Sequence, residues 1–337
     1  MEIDIGLWAA IGFLFAAYAV VGNDALQTLG TFINSNRKLP WWALFLYAAT
    51  VLVVVFAFGY VTSGGDPSFG RLDNTDKYPI FEPQWYHAVP PLVLLVLTRF
   101  GIPVSTSFMV LASFATMAGL YSMLEKSIIG YVVAFLTGGI IYVVLAPTLE
   151  RWFLKTADGQ RAPVWVLLQW ITTGYLWSVW LMQDFANIFI FLPRGVDETG
   201  AAALNPVEAA GAVAVLVLLL GYTFWNGGGP VQKVLKSKTS VTDIRSATII
   251  DFTYACLLFY FKEMSDIPMS TTWVFLGLIA GREFAIATLD KVRSVGAPAR
   301  IVGVDAAKAL TGLVISIALA LGLPPLAEAL SAGIAGG

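Results

Sequence analysis

Cysteine and histidine are almost missing from this chain: 337 residues hold one of each, Cys256 and His87. A lone cysteine forms no intramolecular disulfide and no thiolate cluster. A lone imidazole excludes zinc or di-iron sites built on several histidines. Charge is scarce too, at 12% of residues, against roughly 25% in soluble domains. The net charge of −2 and pI of about 5.5 give no basic surface for nucleic acid, so no nucleic-acid partner is expected. What fills the space is apolar: 58% of residues are hydrophobic and the mean hydropathy is +0.76. One water-soluble core cannot bury that much, and the lipid bilayer is the natural solvent. The first apolar run has no basic stretch before it and no small-residue cleavage site after it, so it reads as a first membrane helix rather than a signal peptide. The expected class is an all-α polytopic protein, multi-pass in the cell (inner or plasma) membrane.

A helix needs about 20 mostly apolar residues to cross the hydrocarbon core. Such runs cover 6–33, 41–62, 127–148, 163–193, 207–225 and 301–323. Two longer apolar stretches, 84–124 and 247–289, are each interrupted near the middle by a proline and a Ser/Thr cluster. They predict helix, break, helix, and a break at that depth survives only where protein or a cavity surrounds it. The loops alternate in charge. Residues 36–38 are basic; 64–82 sets Asp66, Asp73, Asp76 and Glu82 against Arg71 and Lys77; 150–161 is net +1; Arg194, Asp197 and Glu198 are net −1; 233–245 is net +3. Positively charged loops stay inside. That places the N-terminus outside, 36–38 inside, 64–82 outside, 150–161 inside, 194–206 outside and 233–245 inside.

The chain also repeats itself. Pro103-Val104-Ser105-Thr106-Ser107 returns as Pro268-Met269-Ser270-Thr271-Thr272, 165 residues later, and Asn23-Asp24 with Gln27 returns as Gln183-Asp184 with Asn187, 160 residues later. The loop charges send the segment after Asp24 inside and the segment after Asp184 outside. Two inverted-topology repeats are therefore expected, 1–150 and 151–337, each with a discontinuous re-entrant helical hairpin. That arrangement marks secondary transporters, with the site at the repeat interface near the midplane.

Asp24 and Asp184 stand deep in apolar helices, where a carboxylate costs at least ~2.5–3.5 kcal/mol on insertion scales. Positions i and i+3 share a helix face. Asn23, Asp24 and Gln27, and likewise Gln183, Asp184 and Asn187, thus gather a carboxylate and two amide oxygens. This all-oxygen set suits sodium and no transition metal; a protonated aspartate bonded to a neighbouring helix is the other reading. In the second motif pair, proline favours the first turn of a helix and serine or threonine its cap. Ser105, Thr106 and Ser107, with Ser270, Thr271 and Thr272, would each open a hairpin arm. Free N–H groups, hydroxyls and the positive end of the helix dipole would then converge on an anion. Plain kinks with hydroxyls bonded back to i−4 carbonyls are the alternative. Arg99 either adds charge to the anion path or pairs at the interface. Asp251 supplies cation charge or an interfacial cap. Glu263 and Asp266 flank the second hairpin as gate candidates, Arg282 and Glu283 pair or face water, His87 is placed for an interfacial structural role ahead of proton transfer, and Trp273 is placed to shape the pocket. Asn226-Gly227-Gly228-Gly229-Pro230 lacks the Lys-Ser/Thr ending of a phosphate loop and reads as a turn.

These motifs resemble those of the inorganic phosphate transporter (PiT) family, which carries Gly-Ala-Asn-Asp-Val-Ala-Asn in the first helix of each half and Pro-Val-Ser-Thr-Thr-His in each hairpin. Val21-Gly22-Asn23-Asp24-Ala25-Leu26-Gln27 and Gln183-Asp184-Phe185-Ala186-Asn187 resemble the first; Gly101–Ser107 and Ile267–Thr272 resemble the second. The likeness spans roughly 8–320, with thin identity outside the motifs. It implies hairpin hydroxyls and amides holding phosphate, aspartate helices holding sodium as coupling ion, no further cofactor, symport rather than enzyme chemistry, and a homodimer. The departures are glutamine at 27 and 183, Phe108 and Trp273 where the family has histidine, and Phe56-Ala57-Phe58-Gly59 where it often has a glutamate. They leave sulfate or another small inorganic anion, and proton coupling, as the alternative. No protease dyad or zinc motif supports an intramembrane enzyme.

Overall fold

The computed structural model describes residues 5–36, 38–99, 104–145, 151–156, 162–194, 204–227, 244–290 and 296–335, and of 23–27, 99, 145, 151, 154, 286–287, 289–290, 296–299, 301, 305 and 333–335 the backbone alone. Among the described residues every regular element is a helix. Helix α1 (Leu7–Ala19) widens into a π turn at Val20–Asp24 and continues as α2 (Ala25–Ser35). Then come α3 (Trp41–Thr62), a 3₁₀ turn at Trp85–Ala88, α4 (Val89–Arg99), α5 (Thr106–Leu111), α6 (Met117–Leu145) and α7 (Arg151–Lys155). The chain goes on through α8 (Pro163–Phe189), α9 (Pro206–Trp225), α10 (Ile244–Met264), α11 (Thr271–Asp290) and α12 (Gly296–Ala335). Local chemistry sets several of these starts. Pro206 opens α9 behind a capping box: Asn205 Oδ1 accepts from the N–H groups of Val207 and Glu208, and Glu208 returns a carboxylate to Asn205 N at 3.0 Å.

Five helices, Trp41–Thr62, Met117–Val144, Pro206–Trp225, Ile244–Met264 and Val302–Ala332, are long and apolar enough to cross a membrane. Their outward faces carry Val54, Phe58 and Val61 on α3, Ile129, Leu136 and Ile140 on α6, and Leu310, Val314 and Leu321 on α12, all exposed. Water would not tolerate such apolar faces; acyl chains match them. The chain is a multi-pass helical membrane protein.

Three expected segments differ from what is observed. The span expected at 127–148 begins ten residues earlier, at Met117. The stretch 84–124 therefore holds α4, the short α5, a turn at 112–116 and the start of α6 rather than two arms. The stretch expected at 163–193 is α8, which is apolar only in part: its buried positions include Gln169, Thr172, Thr173, Gln183, Asp184 and Asn187. Helix α8 sits at the centre of the bundle, touching α1, α2, α3, α5, α10 and α11.

The closest helix pair is α6 with α11. A side chain added at Gly281 would overlap the Phe135 carbonyl, one at Gly277 the Tyr131 carbonyl, and one at Gly138 the Leu278 carbonyl. Gly277 and Gly281 form a Gly-x-x-x-Gly pair, the small-residue pattern that brings helices to backbone contact in lipid.

Candidate functional site

Both hydroxyl clusters begin helices, and they meet. Ser105 is the N-cap of α5, its Oγ accepting from Phe108 N at 3.3 Å. Ser270 caps α11 in the same way, accepting from Trp273 N at 3.2 Å. Neither uses its hydroxyl on an i−4 carbonyl, so the kink alternative does not describe them. Each accepts a capping bond and keeps its own O–H to donate. Ser107 Oγ donates across the gap to Met269 O at 2.9 Å. The rings of Phe108 and Trp273, the two residues after the clusters, lie 5.6 Å apart. Helix α6 braces the second cluster: Ser127 Oγ accepts from Ser270 N at 2.9 Å, and Met269 packs at Gly130. Ser105, Thr106, Ser107, Ser270, Thr271 and Thr272 are all buried. Pro103 lies outside the described residues.

The expectation of a helix dipole behind each cluster holds for one of them. Helix α11 has 20 residues, but α5 has 6, and so short a helix sums little dipole.

On α8, Gln183, Asp184 and Asn187 are buried together at 2%, 1% and 0% exposure. Asn187 Nδ2 donates to Asp184 Oδ1 at 2.6 Å, and Asn187 Oδ1 has no hydrogen-bond partner. Gln183 uses both ends of its amide. Its Nε2 donates to Leu258 O at 3.0 Å, and its Oε1 accepts from the Nη2 of Arg71.

Arg71 is the buried charge at this site that sequence reasoning missed; it counted there only as a loop charge. A compact loop delivers it. The Asp66 carboxylate accepts from Ser68 N at 2.8 Å, from Ser68 Oγ and from Gly70 N at 3.2 Å, a side-chain turn of the kind aspartate favours. Phe69 (φ 60°) and Gly70 (φ 69°) both take left-handed backbone. The Phe69 ring sits where a side chain at position 59 would be, so Gly59 is needed for the loop to close. Arg194 ties the other side of the loop, donating to Leu72 O at 3.2 Å and Pro79 O at 2.9 Å.

Arg71 ends 2% exposed, with Nε and Nη1 buried and lacking hydrogen-bond acceptors. Burial pushes its guanidinium down to about 10, against the opposing pull of Asp184, Asp266 and Tyr78, so it stays charged at neutral pH. Half-buried Lys126 stands close by, its Nζ donating to Ser265 O at 2.7 Å and Ile267 O at 2.8 Å, just ahead of the second cluster. Sequence reasoning missed it too, inside an apolar run.

Asp251 is neither interfacial nor a cap. It is buried within α10, accepting from Thr31 Oγ1 at 2.9 Å and Thr173 Oγ1 at 3.1 Å, so it joins α2, α8 and α10. Asn36 Nδ2 extends this polar seam to Gln169 Oε1 at 3.0 Å. The backbone at Asn23 and Asp24 lies in the π turn, a feature frequent at functional sites. The side chains of Asn23, Asp24, Gln27 and Arg99 lie outside the described residues. Phe56, near the family's glutamate position, packs against Phe185 and Phe189 at 6.1 and 5.6 Å. His87 is structural, its Nδ1 accepting from Gln84 N at 2.9 Å. Arg282 and Glu283 pair at 3.0 Å, and Glu263 pairs with Lys262 at 2.7 Å. Asp266 is exposed.

The geometry is that of a helical membrane protein in which two hydroxyl-bearing helix starts meet near a buried carboxylate–amide face of α8. No family model matches the chain, and no curated protein matches its sequence. Among solved structures it is similar to one of a sodium-dependent phosphate transporter, with a TM-score of 0.60, 16% identity, and coverage of 94% of this chain and 98% of that one. The chain has that transporter's fold along nearly its whole length.

Proposed function

We propose that the chain is a secondary active transporter carrying inorganic phosphate by sodium-coupled symport across the cell membrane. One observation carries this: two hydroxyl clusters far apart in sequence come together, with Ser107 on Met269 O at 2.9 Å, beside a buried carboxylate–amide turn. In this reading the halves 1–150 and 151–337 are inverted repeats, each cluster is the tip of a re-entrant hairpin, and the protein works as a homodimer. Ser105, Thr106, Ser107, Ser270, Thr271 and Thr272 donate to the anion. Asn23, Asp24 and Gln27 in one half, and Gln183, Asp184 and Asn187 in the other, are the two acceptor sets that face a cation. A solved protein that shares this fold is a sodium-dependent phosphate transporter, which supports both ligands.

The test is uptake of labelled phosphate and labelled sulfate into proteoliposomes, with and without an inward sodium gradient. Phosphate accumulation that requires the gradient is the expected result. Accumulation of sulfate in its place would replace the substrate, and gradient-independent uptake of either anion would remove the coupling.

A further inference from the structure

We propose that Arg71 is a built-in cation of the second-half acceptor set: its guanidinium holds the place beside Gln183 and Asp184 that a coupling sodium would otherwise take. Sodium then accompanies the anion at the first-half set, around Asp24, and not at the second. The inference rests on the carrier reading above and narrows its stoichiometry.

Three observations support it. The amide oxygen of Gln183, one of the oxygens suited to a hard cation, already accepts from Arg71 Nη2, while the other end of that amide is held by Leu258 O at 3.0 Å. Asp184 follows Gln183 directly on α8, both buried, and its Oδ1 is taken by Asn187. Arg71 is 2% exposed and fixed by the Asp66 turn, so the charge is a permanent part of the site rather than a mobile surface group. A sodium ion on the same oxygen would sit against a buried like charge, where repulsion is least screened. Glutamine at 183, one methylene longer than asparagine, gives the amide the reach to meet the loop.

The experiment measures labelled sodium and labelled phosphate taken up together in proteoliposomes of the full chain, for wild type, R71K, R71Q and the charge-balanced double variant R71Q/D184N. The inference expects R71K to keep the wild-type sodium-to-phosphate ratio, whatever its rate, and R71Q to carry one more sodium per phosphate. It expects R71Q/D184N to keep the wild-type ratio, because neither protein holds sodium at the second set. An R71Q ratio equal to wild type overturns it. So does a double variant that loses one sodium per phosphate, and that arm decides the matter if R71Q alone does not fold. A wild type without sodium-driven phosphate uptake overturns the carrier reading itself, a separable outcome.

Discussion

The two hydroxyl clusters start alike and end differently. Ser105 and Ser270 cap their helices through the same i+3 bond, at 3.3 and 3.2 Å. Past that point the first opens a helix of 6 residues and the second a helix of 20. Two cations, Arg71 and Lys126, reach the lead-in to the second cluster through the carbonyl of Ile267, at 3.5 and 2.8 Å. A repeated motif thus fixes a local cap and not its surroundings. The first cluster depends on hydroxyls. The second adds a full helix and a resident positive charge.

That asymmetry can be broken or sharpened by mutation. The largest effect is expected from Gly281→Leu, which drives a side chain into the Phe135 carbonyl and pries α11, with the second cluster, off α6. A loss of about 3 kcal/mol or more should appear as a steep fall in thermal stability in detergent. Next is the pair Ser105→Ala with Ser270→Ala, which should weaken phosphate binding roughly tenfold or more, about 1.4 kcal/mol, in equilibrium binding. Taken singly, each removes a cap worth about 1 kcal/mol. Ser105→Ala should lower the melting temperature more, since a 6-residue helix has little else to sustain it. Asp66→Ala should follow. It leaves Ser68 and Gly70 N–H groups without their acceptor, loosening the Arg71 loop by about 1–2 kcal/mol, visible as faster hydrogen exchange over 66–71. The smallest effect is expected from Ser107→Ala, which deletes one bond to Met269 O and should cost about 1 kcal/mol of stability.

How much of this was legible beforehand depended on range. Pro-x-Ser spacing announces a cap because cap chemistry acts within four residues, and Ser105 and Ser270 fulfilled it. The apolar run 41–62 ends where α3 ends, since turn-forming Ser63-Gly64-Gly65 follows at once. The convergence of Gln183, Asp184 and Asn187 on one buried face followed from helical periodicity. Arg71 was hidden, because its burial comes from a loop that curls around Asp66 and then meets a residue 112 positions away. No pattern local to an acidic loop marks that. The length of α5 was hidden too. Nothing in 112–116 except Ser113 and Thr116 interrupts the apolar run, and the turn there is secured from outside by the Lys77 carbonyl, which accepts from Thr116 N at 2.9 Å.

Where α6 and α11 touch at Gly138, Gly277 and Gly281, the main chain of one helix presses on the main chain of the other. Two helices so joined behave as one plank: at these glycines sliding one along the other would drive carbonyls into Cα atoms. Any rearrangement of the bundle must hinge elsewhere, and Ser127, Met269 and Ser270 must ride on that plank together.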